Sequence, residues 1–123
     1  MRILIPFCVF AVSLLLNSCC ANEVPVEGLS PNRQWKYVSF DRNCGATTGR
    51  NLQISILPAS KPLPNNAANA FIADNNRGAA RFVATPEWVS ARELKITYYS
   101  KARIFKREPK VGPITITYVQ EQQ

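Results

Sequence analysis

The chain has 123 residues, with 15 Lys and Arg against 8 Asp and Glu, four Cys, nine Pro, five Gly and no His. That length suits one compact domain at most, and a formal charge of +7 with 19% charged and 46% apolar residues belongs to a chain that folds. Without histidine there is no Ser-His or Cys-His pair, no His-ligated zinc or copper, no proximal haem ligand and no imidazole pH switch.

Residues 1 to 18, MRILIPFCVFAVSLLLNS, carry a single positive charge at Arg2 and then an apolar run from Ile3 to Leu16 broken by Pro6 and Ser13. A run of about 14 residues falls short of the ~20 that cross a bilayer, so the segment reads as a secretory signal peptide. A buried core helix is the alternative, disfavoured by the early start of the run and its small polar ending.

Leu16-Asn17-Ser18-Cys19 resembles the lipobox of bacterial lipoproteins, in which a diacylglyceryl thioether forms on the cysteine and cleavage precedes it. The resemblance implies that Cys19 becomes the lipidated first residue, although Asn17 stands where a smaller residue is usual. Ordinary signal-peptidase cleavage after Cys19-Cys20-Ala21 is the competing route. In bacterial lipoproteins, retention at the inner membrane usually needs an Asp after the anchor. Cys20 stands there, so the resemblance implies an outer-membrane lipoprotein facing the periplasm, with soluble periplasmic or secreted protein as the other outcome. Several acyl chains on one residue hold a domain firmly, since each buried methylene contributes ~0.8 kcal/mol.

Export deletes Cys8 and lipidation uses Cys19, which leaves Cys20 and Cys44 in an oxidising compartment. Two arrangements are open to them. One is a Cys20–Cys44 disulfide; in the other, Cys44 is a small buried residue beside a turn and Cys20 is free or paired between chains. A nucleophilic Cys44 would have only Arg42 and Arg50 as local cations to lower its pKa, and no base.

Residues 20 to 32 (CANEVPVEGLSPN) combine Pro25, Gly28 and Pro31 with little periodicity, and read with Cys19 as an anchor and flexible tether over 19–32. The single folded domain is then expected over 33–123. Period-two alternation dominates it. Trp35 and Tyr37, Leu52, Ile54 and Ile56, Leu94, Ile96 and Tyr98, and Ile114, Ile116 and Tyr118 each alternate with other residues as half-buried strands do. Shorter β-prone pieces lie at Ala70–Ala73, Arg81–Ala84, Glu87–Ser90 and Ala102–Lys106, with Thr85-Pro86 and Glu108-Pro109-Lys110 among the separators. The expected fold is all-β: a small antiparallel β-sandwich, open barrel or bent meander of about seven strands. Pro58 to Asn69, with three prolines and three asparagines, is expected as a solvated surface loop.

The pieces Ser30-Pro31 with Trp35, Cys44-Gly45-Ala46-Thr47-Thr48-Gly49, Leu63-Pro64-Asn65, Phe71-Ile72-Ala73-Asp74, Arg77-Gly78-Ala79-Ala80 and Tyr99 to Lys106 resemble a widespread group of short, uncharacterised exported bacterial proteins. The match runs from about Ser30 to Tyr118 and brings no activity with it. Physically, CGATTGR suits a turn between two strands, because Gly45 and Gly49 admit positive φ and the threonines bond neighbouring backbone. The functional alternative is a nest of backbone N–H groups with Arg42 and Arg50 holding an anion. Asp74-Asn75-Asn76-Arg77-Gly78 fails as a calcium loop, since its glycine falls on a ligand position and Thr85 stands where Glu is needed.

From Arg92 to Lys110 seven cations face Glu93 and Glu108, interleaved with Tyr98, Tyr99 and Phe105. Export argues against nucleic acid. An anionic surface or an envelope protein remains as partner, through Arg103, Lys106 and Arg107; edge-strand protection by charged side chains explains the same residues without a partner. No catalytic residue, metal or cofactor is expected. The leading expectation is a non-enzymatic, membrane-tethered envelope lipoprotein serving as a structural or protein-interaction module. The alternatives are a periplasmic inhibitor or immunity protein against an exported toxin or hydrolase, and an unusual enzyme built on Cys44 or on Asp41 with Arg42.

Overall fold

The computed structural model describes residues 20–45, 50–74 and 83–122. The signal segment, Cys19, the Ala46–Gly49 part of the glycine-threonine motif, the Arg77–Ala80 motif and the first half of the expected strand piece at Arg81–Ala84 lie outside the described residues. Nine strands form within them: β1 (Ala21–Leu29), β2 (Trp35–Asn43), β3 (Arg50–Pro58), β4 (Phe71–Asp74), β5 (Ala84–Ser90), β6 (Glu93–Tyr99), β7 (Ile104–Arg107), β8 (Lys110–Val111) and β9 (Ile114–Glu121). They make a five-stranded sheet in the order β1-β2-β3-β4-β7 and a four-stranded sheet in the order β5-β6-β9-β8.

The alternating residues explain why the two sheets stack as a sandwich. Leu52, Ile54, Ile56, Phe71 and Ala73 of the first sheet meet Ala84, Leu94, Ile96, Tyr98, Ile114 and Ile116 of the second in one buried cluster. Ile54, Phe71, Leu94, Ile96 and Ile114 have no accessible surface. Burying each such side chain contributes ~1.5–3 kcal/mol. Trp35, Tyr37, Trp88 and Tyr118 border the cluster.

A second, smaller cluster sits on the opposite face of the five-stranded sheet, where Val38, Phe40 and Ala68 pack with Leu57, Leu63 and Ile72. The 59–70 connection, expected as a solvated loop, therefore covers apolar surface. It also satisfies the polar groups it buries: the Ala68 amide donates to Gln53 Oε1 at 2.8 Å, the Asn69 amide to Ser55 Oγ at 3.2 Å, and Lys106 Nζ to the Ala68 carbonyl at 2.9 Å. No buried side-chain polar atom lacks a partner among the described residues. β2 and β3 are thus covered on both faces, with Trp35 and Tyr37 turned to the main cluster and Val38 and Phe40 to the smaller one.

Four expectations change. Residues 20–32 are not a flexible tether, because β1 pairs with β2 from Ala21↔Asn43 to Leu29↔Lys36; the folded domain begins at residue 20 rather than 33. The register slips between Glu23 and Val26, where Val24 takes φ 52°. Proline is tolerated at such a bulge on an edge strand, and Gly28 leaves room for the Tyr37 ring, which a Cβ would overlap. The composition that suggested a linker is that of a bulged edge strand.

Thr85-Pro86 does not separate two strands either. Pro86 pairs with Ile96 inside β5, an edge strand in which its missing N–H interrupts no ladder. Merging those pieces leaves seven strands, and β1 and β8 make nine. The sheets are not wholly antiparallel, since β6 and β9 run parallel from Glu93↔Thr115 to Tyr99↔Glu121. Between them the chain crosses to the other sheet as β7 and returns through β8, and such a crossover lets consecutive strands of one sheet run the same way.

Candidate functional site

The ladders place distant residues at one end of the five-stranded sheet. Ala21 pairs with Asn43, Asn43 with Arg50, and Asn51 with Asp74, whose amide donates to the Arg103 carbonyl at 2.9 Å. Cys20 and Cys44 lie just beyond the first of these pairs and are joined by a disulfide across 24 residues, Cα to Cα 4.0 Å. The backbone then turns at Gly45, with φ 121°, and its amide donates to Asn43 Oδ1 at 3.1 Å. Asn65 Nδ2 donates to the Cys20 carbonyl at 3.1 Å and Asn22 Nδ2 to the Pro64 carbonyl at 3.0 Å, so the covering loop grips the start of β1. Cys44 carries no free thiol in this arrangement.

Arg42 and Arg50 do not converge on one anion. Their register partners are Asn51 and Asn43, neighbouring rungs of the β2–β3 ladder, so the pleat sends their side chains to opposite faces. Arg42 Nη1 donates to Asn22 Oδ1 at 2.6 Å and Asn65 Oδ1 at 3.0 Å. Arg50 Nη2 pairs with Glu23 Oε1 at 3.1 Å. Both arginines tie β1 in place, and the nest expected from them is not assembled.

Arg103, Lys106 and Arg107 lie on or beside β7, the other edge of the same sheet, and they diverge too. Lys106 reaches over the outer face to the Ala68 carbonyl. Arg107 is exposed but leans over the edge of the main cluster: its guanidinium lies 5.9 Å from the Tyr98 ring centroid and 5.6 Å from that of Tyr118, with Nη1 donating to the Tyr98 hydroxyl at 2.7 Å. Phe71 completes the group, 5.9 Å from Tyr98 and 6.0 Å from Tyr118. Burial raises the Tyr118 phenol well above its ordinary value, with Arg107 pulling the other way and Glu108 reinforcing the rise. The hydroxyl stays protonated and donates to the Glu108 carbonyl at 2.6 Å. Arg107 thus covers the side of the sandwich, a role with no signal in sequence because its two tyrosine partners come from two other strands, β6 and β9.

Arg103 is the one of the three that stays in solvent with an exposed aromatic partner. The β4–β7 ladder pairs Ile72 with Lys106 and Ala73 with Ile104, so Phe105 is the extra residue of a bulge. Bulges at sheet edges redirect side chains; here the ring is 54% exposed, with the Arg103 guanidinium 5.4 Å from its centroid.

Charge divides between the two sides. Ion pairs among the described residues join Lys36 to Glu27, Arg50 to Glu23 and Lys95 to Glu87, which places them on the side of β1 and β5. None reaches Lys101, Arg103, Lys106, Arg107 or Lys110. Comparison with protein-family models, with curated proteins and with solved structures returned no match.

Proposed function

We propose that this protein is an exported lipoprotein, anchored through Cys19, whose β-sandwich serves the cell envelope as a non-catalytic structural or interaction module. The observation that carries the reading is the Cys20–Cys44 disulfide. Structural disulfides persist in oxidising compartments, which agrees with a signal peptide over residues 1–18. The bridge also bears on the anchor. Adjacent Cα atoms are ~3.8 Å apart, so a lipid on Cys19 sits next to a residue cross-linked to the sandwich, and no slack separates membrane from domain.

Cell fractionation tests this. The protein is expected in the membrane fraction after a high-salt wash, with an intact mass that includes a diacylglyceryl group on a chain beginning at Cys19. Cys19→Ser is expected to move it to the soluble fraction. A mature mass without acyl chains, or a Cys19→Ser protein that withstands the salt wash in membranes, overturns the reading.

A further inference from the structure

We infer that Lys101, Arg103 and Phe105 form a membrane contact that docks this corner of the sandwich on an anionic lipid surface. The inference rests on the anchored reading above and adds which face meets the bilayer.

Three observations converge. First, Lys101 and Arg103 are both exposed at this corner, and neither is neutralised by an ion pair among the described residues. Second, the bulge turns Phe105 away from both clusters, and the ring stands exposed beneath the Arg103 guanidinium. A protein that only needs to blunt an edge strand uses charge; an exposed phenyl inside a basic collar suits the boundary between head groups and acyl chains, where the ring leaves water and the cations keep their phosphates. Asp74 and Glu121 border this corner through the backbone, the Asp74 amide donating to the Arg103 carbonyl at 2.9 Å and the Glu121 carbonyl accepting from the Ser100 amide at 3.0 Å.

Third, the corner lies on the same end of the sandwich as Cys20. The rungs Ala21↔Asn43↔Arg50 and Asn51↔Asp74, continued by the Asp74–Arg103 bond, run straight across the sheet. Four strand spacings of ~4.8 Å separate the two edges, about 19 Å in all. A lipid next to Cys20 and a basic aromatic corner at β7 would therefore touch one plane at two well-separated points, and two points of attachment restrict how the domain tilts. A single weak signal gives marginal binding, whereas an acyl anchor with a basic patch binds stably.

The experiment reads orientation and anchoring separately. The processed protein is reconstituted in brominated-lipid vesicles of phosphatidylcholine, alone or with phosphatidylglycerol, and carries a fluorescent probe at Q122C or P113C. Gln122 follows β9 at the proposed docking end, and Pro113 precedes Ile114 at the opposite end. Quenching is expected to be several-fold stronger at position 122 than at 113, and to require phosphatidylglycerol. The double variant K101S/R103S is expected to weaken the docking equilibrium roughly thirtyfold, given ~1 kcal/mol per cation near a charged surface, and so to level the quenching at the two positions; F105S also weakens it, and near-UV circular dichroism checks that each exposed-site variant stays folded.

Equal quenching at the two positions, or quenching at 122 that ignores these substitutions, overturns the docking while leaving the anchor intact; the patch would then serve a protein partner. An unlipidated protein that still floats with phosphatidylglycerol vesicles and keeps the bias towards 122 sinks the anchor and sustains the docking. An unlipidated protein that does not float overturns both.

Discussion

Asn69 pairs with Ile56 as a neighbouring strand would: its Oδ1 accepts from the Ile56 amide and its Nδ2 donates to the Ile56 carbonyl, both at 2.8 Å. The β3–β4 ladder begins only at Ile54↔Phe71, so the side-chain amide carries the pairing two residues further along β3 while the main chain bends away to cover Val38 and Phe40. Backbone polar groups away from water need partners, and here an asparagine lets a strand edge and a covering loop coexist.

Asn69→Ala is expected to destabilise the fold by ~1–3 kcal/mol, the cost of leaving two backbone groups unpaired. A lower midpoint in urea at unchanged slope reports it, with faster amide exchange at Ile56. A stability equal to the parent protein would show that water replaces the amide without loss.

Cys44→Ser, or reduction of the parent protein, is expected to lose about 3 kcal/mol, the chain-entropy effect of opening a loop of this length. Because β1 pairs only with β2, its amides should lose protection before those of β3 or β6. Thermal melts with and without reductant, followed by hydrogen exchange, check both points. Uniform loosening of all nine strands would contradict the local account.

Gly28→Ala places a Cβ in the Tyr37 ring, which is flanked by Trp88 with ring centroids 6.4 Å apart. The Trp88 indole in turn donates to the Gly28 carbonyl at 2.9 Å. Displacing the ring should cost ~1–3 kcal/mol and alter tryptophan emission, whereas Gly45→Ala, with nothing near its Cβ, should leave the emission unchanged. An unaltered spectrum in Gly28→Ala would mean that Tyr37 swings out freely.

The raised Tyr118 phenol makes a prediction about pH. Unfolded, the group ionises near its ordinary value of 10.0; folded, it keeps its proton to higher pH, so the unfolded chain binds fewer protons above pH 10 and stability falls there. The contribution is fully present below that pH and is lost as pH rises towards the folded value. Tyr118→Phe, which cannot ionise, should therefore show a shallower alkaline decline in melting temperature than the parent. Parallel declines would place the alkaline sensitivity elsewhere.

The all-β class, the sandwich option and the main inward-facing residues were legible in sequence because a strand's side chains alternate whatever the strand pairs with. Leu52, Ile54 and Ile56 had to share a face. The same logic failed for residues 21–29, where Pro25 and Gly28 interrupt the alternation, and for Pro86. Whether a proline breaks a strand or rides in one depends on whether that strand has a neighbour on the donor side.

Composition and local pattern thus determined the absence of imidazole chemistry, the signal-like start, the strand content and the basic bias of the 92–110 segment. Tertiary structure decided which residues meet. It joined Cys20 to Cys44, parted Arg42 from Arg50, spent Lys106 and Arg107 on the Ala68 carbonyl and two tyrosines, and left Arg103 and Phe105 outside. The physical reason is register: a side chain's face follows from the rung its backbone occupies, and rungs are chosen by hydrogen bonds between strands far apart in sequence.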